Sequence, residues 1–318
     1  MNELTAALAD YLALRRGLGY KLERAGRVLG DFVAYLEQTG AEHVSVEAAL
    51  AWATRSANPE SCWRAQRLGM VRCFARYLHA LDPGHEVPPP GLLPRGLGRP
   101  ALFLFSDADL AAMMGAARSI GSPLRAATLE TLIGLMGVSG LRVGEVIRLD
   151  RDDVDFDQDA LAIRNSKAGR SRVVPLHAST TAALRAYDAR RDVLFPKPSA
   201  PSFFITTKGT RMRSGSLRQA FAEVVAAAGF PPRVGRHGPR AGDLRHSFAV
   251  STLVDWHRGG AEVEPNLPLL STYLGHVSPA STYWYLSASP RLLAAATSRF
   301  EPSPPMSRRS SMLMWLLQ

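Results

Sequence analysis

Apolar residues recur along the first eighty positions with the spacing of helices. Leu4, Leu8, Tyr11 and Leu12 mark one amphipathic face, and Leu29, Phe32, Val33 and Leu36 a second. Ser45 stands where an N-cap is expected, ahead of a third helix carrying Leu50 and Trp52. A fourth helix, from about Pro59 to His79, aligns Trp63, Met70, Phe74, Tyr77 and Leu78 in one stripe. Its other positions include Arg64, Arg67, Arg72 and Arg76, which form either a phosphate-gripping row or a solvated basic face.

The periodicity then stops. "GHEVPPPGLLPRGLGRP", Gly84 to Pro100, holds five prolines and four glycines, which end helices and deny strand pairing. It reads as a linker over 86–100, separating a helical segment, 1–85, from a larger one, 101–300. In the larger segment Ser106 opens "FSDADLAAMMGAAR" as a cap with acidic residues behind it, and "LRAATLETLIGLMGVSG" is apolar enough for a core helix. In "LRVGEVIRLDRDDVDFDQDALAIRNSKAGRSRVVPL", alternating β-branched runs surround a Lys-Ala-Gly-Arg turn, which predicts a small β-sheet inside a helical domain. From "GSLRQAFAEVVAAAGF" onward the pattern is helical again, broken once by "PPRVGRHGPRAG". A tail over 301–318 is a Pro/Ser/Arg spacer ending in an apolar hexamer, Met312 to Leu317.

Composition narrows the partners. With 38 Lys+Arg against 28 Asp+Glu, the 318 residues carry a formal charge of +10, which favours a polyanion. Cys62 and Cys73 lie eleven residues apart on the fourth helix, about 16 Å, beyond disulfide reach. Reduced thiols and a cytoplasmic location follow as expectations. The N-terminus has acidic residues within its apolar run and no small-residue cleavage site, so it does not read as a leader. No stretch has the length and apolarity of a membrane span, so no membrane partner is expected. "DRDDVDFDQD" packs six aspartates into ten residues, but a calcium loop counted from Asp153 would need glycine at Gln158 and glutamate at Arg164. These carboxylates read as turn residues, and no metal or other cofactor is assigned.

Three islands could carry chemistry. "SGLRVGEV" places Arg142 and Glu145 on one helical face, where the carboxylate can hold the guanidinium. "GDLRHSFAV" sets Arg245 one turn into a helix, with His246 turned about 100° away and so expected to pack or orient. "YLGHVSPASTYWYLSA" puts Tyr285 nine residues after His276. Tyr283 and Tyr285, on one helix, would point about 200° apart, so only one can face the arginines. His43, His79, His85, His177 and His257 lack such context and read as surface or loop.

Two arginines, a turn lysine, a histidine and a tyrosine in this order resemble the tyrosine recombinase, or phage integrase, family. The matching stretches are "GLRVGE", "SKAGRSRVVPL", "DLRHSFA" and "YLGHVSPASTYWYL", across Gly140 to Leu286, with wording nearest the transposon-borne branch. The resemblance implies a mainly α fold with a small antiparallel β-sheet, built as a helical core-binding domain plus an α/β catalytic domain. These would lie on opposite faces of a DNA duplex, with the linker letting them close. It implies catalytic roles for Arg142, Lys167, Arg245, His276 and Tyr285: Tyr285 as nucleophile forming a 3′-phosphotyrosyl link, Lys167 as the proton donor to the departing 5′ oxygen. The nine-residue interval from His276 selects Tyr285, leaving Tyr283 and Trp284 to pack or stack on DNA. Glu145 becomes the orienter of Arg142, and Arg64, Arg67, Arg72 and Arg76 the DNA-binding candidates of the helical domain. Double-stranded DNA and a homo- or hetero-tetramer on it are the implied partners, with the "MLMWLL" hexamer as a docking segment.

One position departs from the family pattern. Three residues before the second arginine the family usually has histidine, and here stands Gly242. The loss of one preorganised donor slows such chemistry on the order of a hundredfold to a thousandfold. His237 or Arg240 in the preceding loop is the candidate replacement, and Asp243 the candidate cap of the helix. The alternative function is an impaired accessory DNA-binding member that supports an active partner.

Overall fold

The computed structural model describes residues 3–55, 61–94, 102–166, 169–231, 238–276, 278 and 280–288, with the backbone alone for Ser61 and 286–288. It divides into two compact units, Met1–Pro100 and Ala101–Gln318.

Among the described residues unit 1 has four helices: α1 (Glu3–Gly17), α2 (Glu23–Thr39), α3 (Val46–Thr54) and α4 (Ser61–Leu81). Ser45 caps α3 by accepting from the Ala48 N–H. Leu4, Leu8, Leu29, Phe32, Val33, Leu36, Trp52 and Phe74 are buried as their spacing requires. Phe32 meets Trp52 edge-on at 5.0 Å, and Tyr11 tilts against Phe74 and Tyr77, each at 5.4 Å. Trp63 is half-buried, with the Arg24 guanidinium 4.1 Å from its ring centre.

The row of arginines on α4 is not uniform. Arg67 is buried, its guanidinium 3.8 Å over the Trp52 ring and 3.2 Å from Asp31. Burial pulls its pKa below the ordinary arginine value, against the opposing charge of Asp31. Arg72 donates to the carbonyls of Pro88 and Pro89, so residues at the expected start of the linker are tied to this unit. Glu86 is held likewise: its N–H donates to Val44, and its carboxylate accepts from Val46. Arg64 is half-buried and Arg76 exposed. His85, read from sequence as surface or loop, lies in the loop after α4 but is buried there, where its Nδ1 accepts the Val44 N–H at 3.0 Å.

Unit 2 is helical around a small sheet. Its helices are α5 (Asp107–Ala117), α6 (Pro123–Ser139), α7 (Val143–Val146), α8 (Ala178–Leu194), α9 (Ser214–Ala227), α10 (Ala241–Arg258), α11 (Val263–Leu274) and α12 (Ala280–Ala288). Ser106 and Asp109 form a capping box at α5. α6 is buried on nearly every side because α5, α8 and α10 all pack on it. The sheet has antiparallel order β1-β2-β3: β1 (Val154–Asp155), β2 (Ala160–Ile163) and β3 (Arg172–Pro175), with Leu161 opposite Val174 and Ile163 opposite Arg172. Asp155 accepts from the Asp157 and Gln158 N–H groups, the turn role read for that acidic run. Sequence periodicity passed over α8, whose N-cap is His177, its Nδ1 accepting from Ser179.

Candidate active site

The site is assembled at the C-terminal end of α11. A helix end leaves carbonyls without intrahelical partners and carries partial negative charge, so it attracts cations. Here the carbonyls of Tyr273, Leu274 and Gly275 each accept from a different arginine. Arg172 Nε donates to Tyr273 at 2.8 Å, Arg245 Nη2 to Leu274 at 2.7 Å, and Arg142 Nη2 to Gly275 at 2.6 Å. Residues from three distant parts of the chain are thereby brought to one turn.

Local structure explains how each arrives. α6 ends at Gly140, with φ at 60°, and a Cβ there would lie 2.5 Å from Phe248 and 3.0 Å from Leu274. The chain then turns so that Leu141 is buried and Arg142 becomes the N-cap of α7. Arg245 rises from the first turns of α10, and its Nη1 also donates to the Gly140 carbonyl at 2.8 Å. Arg172 opens β3 beyond the hairpin turn. Gly275, φ 66°, ends α11, and a Cβ there would meet Arg172 Nη1 at 2.8 Å.

Glu145 ties these groups together. It is 3% exposed and accepts from the Arg142 backbone N–H at 3.0 Å, from Arg142 Nη1 at 2.7 Å, and from Arg172 Nη1 and Nη2 at 3.1 and 3.0 Å. Ser166 Oγ donates to it as well. Burial alone would raise its pKa, but the bonds from Arg172, Ser166 and the Arg142 backbone hold it at about 2. It stays ionised and fixes two guanidinium groups at once. Among the described residues, three arginines stand against this one carboxylate, which makes the cluster cationic. Two neighbours register that field: Arg245 is lowered to about 10 by burial and the Arg142 charge, and His276 to about 4 by burial and the charges of Arg245 and Arg142.

His276 follows Gly275 directly, its Nδ1 2.7 Å from Thr282 Oγ1 and its ring stacked on Tyr285 at 6.2 Å and 22°. Tyr285 is 2% exposed, whereas Tyr283, two residues earlier on α12, is 49% exposed. The Tyr285 hydroxyl lies 3.0 Å from His246 Nδ1. Arg142, Arg245, His276, Tyr285 and Glu145 thus share one region. Lys167 lies outside the described residues, as does His237.

Gly242 sits exposed in the first turn of α10, and apart from its chain neighbours and the helix's own backbone no described atom lies within 4 Å of where its Cβ would be. Arg240 does not reach over that space: its guanidinium forms two bonds to Asp243, at 2.8 and 3.2 Å. The helix cap also differs from expectation. Arg240 is the N-cap and Asp243 acts from the third helical position, accepting the Arg240 N–H at 2.8 Å.

Two residues of the cluster escaped sequence reading. Arg172 was hidden in a basic hairpin that gives no sign of which cation turns inward. Ser166 precedes the turn lysine and shows its role only through Glu145. No group of three or more His, Cys, Asp or Glu side chains among the described residues is placed to hold a metal ion, and no described helix is long and apolar enough to cross a membrane.

Comparison with known proteins gives the family and the fold. y4rB of Sinorhizobium fredii, named as an integrase/recombinase, is 43% identical over 307 residues, covering 95% of this chain and 98% of the relative. Tyrosine recombinase XerC of Mycobacterium tuberculosis is 29% identical over 318 residues, covering 95% and 99%. Among solved structures, the Tn1549 transposon integrase in complex with transposon right end DNA covers 94% of this chain and 99% of its own, at 15% identity and a TM-score of 0.60. The lambda integrase tetramer bound to a Holliday junction covers 89% and 76%, at 15% identity and a TM-score of 0.56. Both structures have this fold. The profile of the Phage integrase family matches residues 105–291, which contain every residue gathered around α11, and the chain belongs to that family of tyrosine recombinases.

Proposed function

We propose that this protein is a metal-independent, site-specific DNA recombinase or transposase that breaks and rejoins strands through a phosphotyrosyl link on Tyr285. The observation that carries the proposal is the row of three carbonyls on α11, each holding an arginine, with His276 next in the chain and stacked on Tyr285. Phosphoryl transfer rests mostly on positioning and charge stabilisation, and this row supplies both.

In the reaction the Tyr285 Oη–phosphorus bond forms and the bond to the 5′ oxygen breaks. Lys167 protonates the departing oxygen, leaving a 3′-phosphotyrosyl end whose energy is available for rejoining. Arg245 uses two of its five N–H donors on the carbonyls of Gly140 and Leu274 among the described residues. The others suit non-bridging phosphate oxygens, as do those of Arg142. Glu145, ionised at any working pH, orients Arg142 and Arg172 and takes no part as an acid. His276, with its pKa near 4, enters as a neutral imidazole. Tyr285, at 2% exposure, reaches a phosphate only after part of its cover moves, so DNA binding and local opening around α12 are coupled.

Double-stranded DNA is the proposed partner, in keeping with the +10 charge and with the transposon end DNA bound to the Tn1549 integrase. A tetramer on two duplexes, homo- or heteromeric, is the proposed assembly.

Gly242 favours a second reading, an accessory subunit that binds DNA and leaves cutting to a partner. Duplexes nicked near the scissile phosphate trap the covalent intermediate and separate the two. A protein–DNA adduct from the chain alone supports the enzyme; tight binding with no adduct supports the accessory role. The open space over Gly242 admits a larger side chain. Gly242→His is expected to raise adduct formation about tenfold or more. An unchanged or lower yield contradicts the idea that Gly242 limits the rate.

A further inference from the structure

Tyr285 meets a basic nitrogen from α10. His246 Nδ1 lies 3.0 Å from the Tyr285 hydroxyl oxygen, within hydrogen-bond reach of the one atom that must lose a proton to attack phosphorus. The imidazole packs against two adjacent rings of α12, tilted on Tyr285 at 5.5 Å and edge-on to Trp284 at 5.7 Å. It is half-buried, and its helix is anchored next to it by the two carbonyl bonds of Arg245. One turn before it on the same helical face stands Gly242, which offers no imidazole of its own. The other imidazole against Tyr285, His276, faces the ring rather than the hydroxyl, and its Nδ1 is directed to Thr282.

We infer that His246 is the proton acceptor for Tyr285 in strand cleavage. The inference rests on the nucleophile proposed above. Its neutral ring carries the proton on Nε2 and leaves Nδ1 to accept from the phenol. As the Oη–phosphorus bond forms, the phenolic proton passes to Nδ1, giving an imidazolium. As the phosphorus–oxygen bond breaks, the departing 5′ oxygen takes a proton from Lys167. On rejoining, the attacking 5′ hydroxyl gives its proton back to Lys167 and the imidazolium returns its proton to the tyrosine oxygen, so the enzyme ends as it began.

The test measures adduct formation with His246→Gln, which keeps a polar group of similar reach but no base of comparable strength. Two nicked duplexes are used, one with the natural 5′ oxygen at the scissile phosphate and one with sulfur in its place, a leaving group that needs no proton. The expected result is at least a tenfold fall on both duplexes with DNA binding unchanged, whereas Lys167→Ala is slow on the oxygen duplex and restored on the sulfur one. A His246→Gln rate within twofold of wild type overturns the inference, as does its rescue by sulfur. A faster rate overturns it too, and identifies the contact as a latch that holds the phenol back. A separate measurement needs no activity: in 15N-histidine protein, Tyr285→Phe must move the His246 Nδ1 resonance, and an unmoved resonance removes the contact on which the inference stands. If wild type forms no adduct, or Tyr285→Phe still forms one, the nucleophile assignment itself has failed, a different outcome from failure of His246→Gln alone.

Discussion

The arginines of α4 and those at the end of α11 look alike in sequence and do different things. On α4 one helix offers four guanidinium groups; Arg67 is packed on Trp52 and Asp31, Arg72 is bound to two proline carbonyls, and Arg76 faces solvent. At α11 the cations come from three separate elements and meet at consecutive carbonyls, with one carboxylate between two of them. A row along a helix is a local pattern whose members can be diverted singly to structural work. A convergence from positions a hundred residues apart has no local purpose, and it concentrates uncompensated positive charge where an anion would complete the site.

The largest effect that sharpens this contrast belongs to Arg245. Lysine keeps the charge but cannot bridge the Gly140 and Leu274 carbonyls while presenting a planar fork to phosphate. Arg245→Lys is expected to slow adduct formation on the order of a hundredfold to a thousandfold. Single-turnover cleavage at saturating protein measures it, and a rate within threefold of wild type would mean that charge alone suffices.

A smaller effect comes through pH. The His276 ring takes a proton near pH 4 when folded but near 6.5 when exposed, so the unfolded chain binds the extra proton between these values. Stability therefore falls as the pH drops from about 6.5 to about 4. Glu145, lowered from 4.5 to about 2, contributes stability above 4.5 that is lost as the pH falls toward 2. Thermal unfolding against pH should show both declines, and His276→Gln should remove the upper one. An upper decline that persists in that variant would place the titrating group elsewhere.

The smallest effects separate the α4 arginines. Arg76→Ala should weaken DNA binding modestly and reduce the salt slope by about one, with stability unchanged. Arg67→Ala should destabilise unit 1 by ~1 to 2 kcal/mol, through the lost packing on Trp52 and the lost partner of Asp31. Filter binding across a salt series and denaturant unfolding read the two. The contrast fails if Arg67→Ala changes affinity without changing stability.

Much of this was legible because it is local. The stripes of α1 to α4, the Ser45 and Ser106 caps and the hairpin strands all follow from residue types at short spacing. The motif residues Arg142, Arg245, His276 and Tyr285 could be named, and the choice of Tyr285 over Tyr283 could be framed, from the periods of a helix. Arg172 could not, because its inward turn depends on Glu145, 27 residues away, and Tyr273, 101 away. His85 was passed over since its partner, the Val44 N–H, is 41 positions distant. Arg67 carried no mark distinguishing it from Arg76 until Asp31 and Trp52 were in place. His246 was expected to pack or orient, and the structure gives that role an object, the Tyr285 hydroxyl.

The central claim is that Tyr285, held beside the arginine row, is the residue that joins DNA. The most direct measurement is covalent adduct formation on a nicked duplex by three proteins: wild type, Tyr285→Phe and Tyr283→Phe. The account predicts an adduct with wild type and with Tyr283→Phe, and none with Tyr285→Phe. An adduct that survives Tyr285→Phe, or one that vanishes in Tyr283→Phe with DNA binding intact, would contradict it.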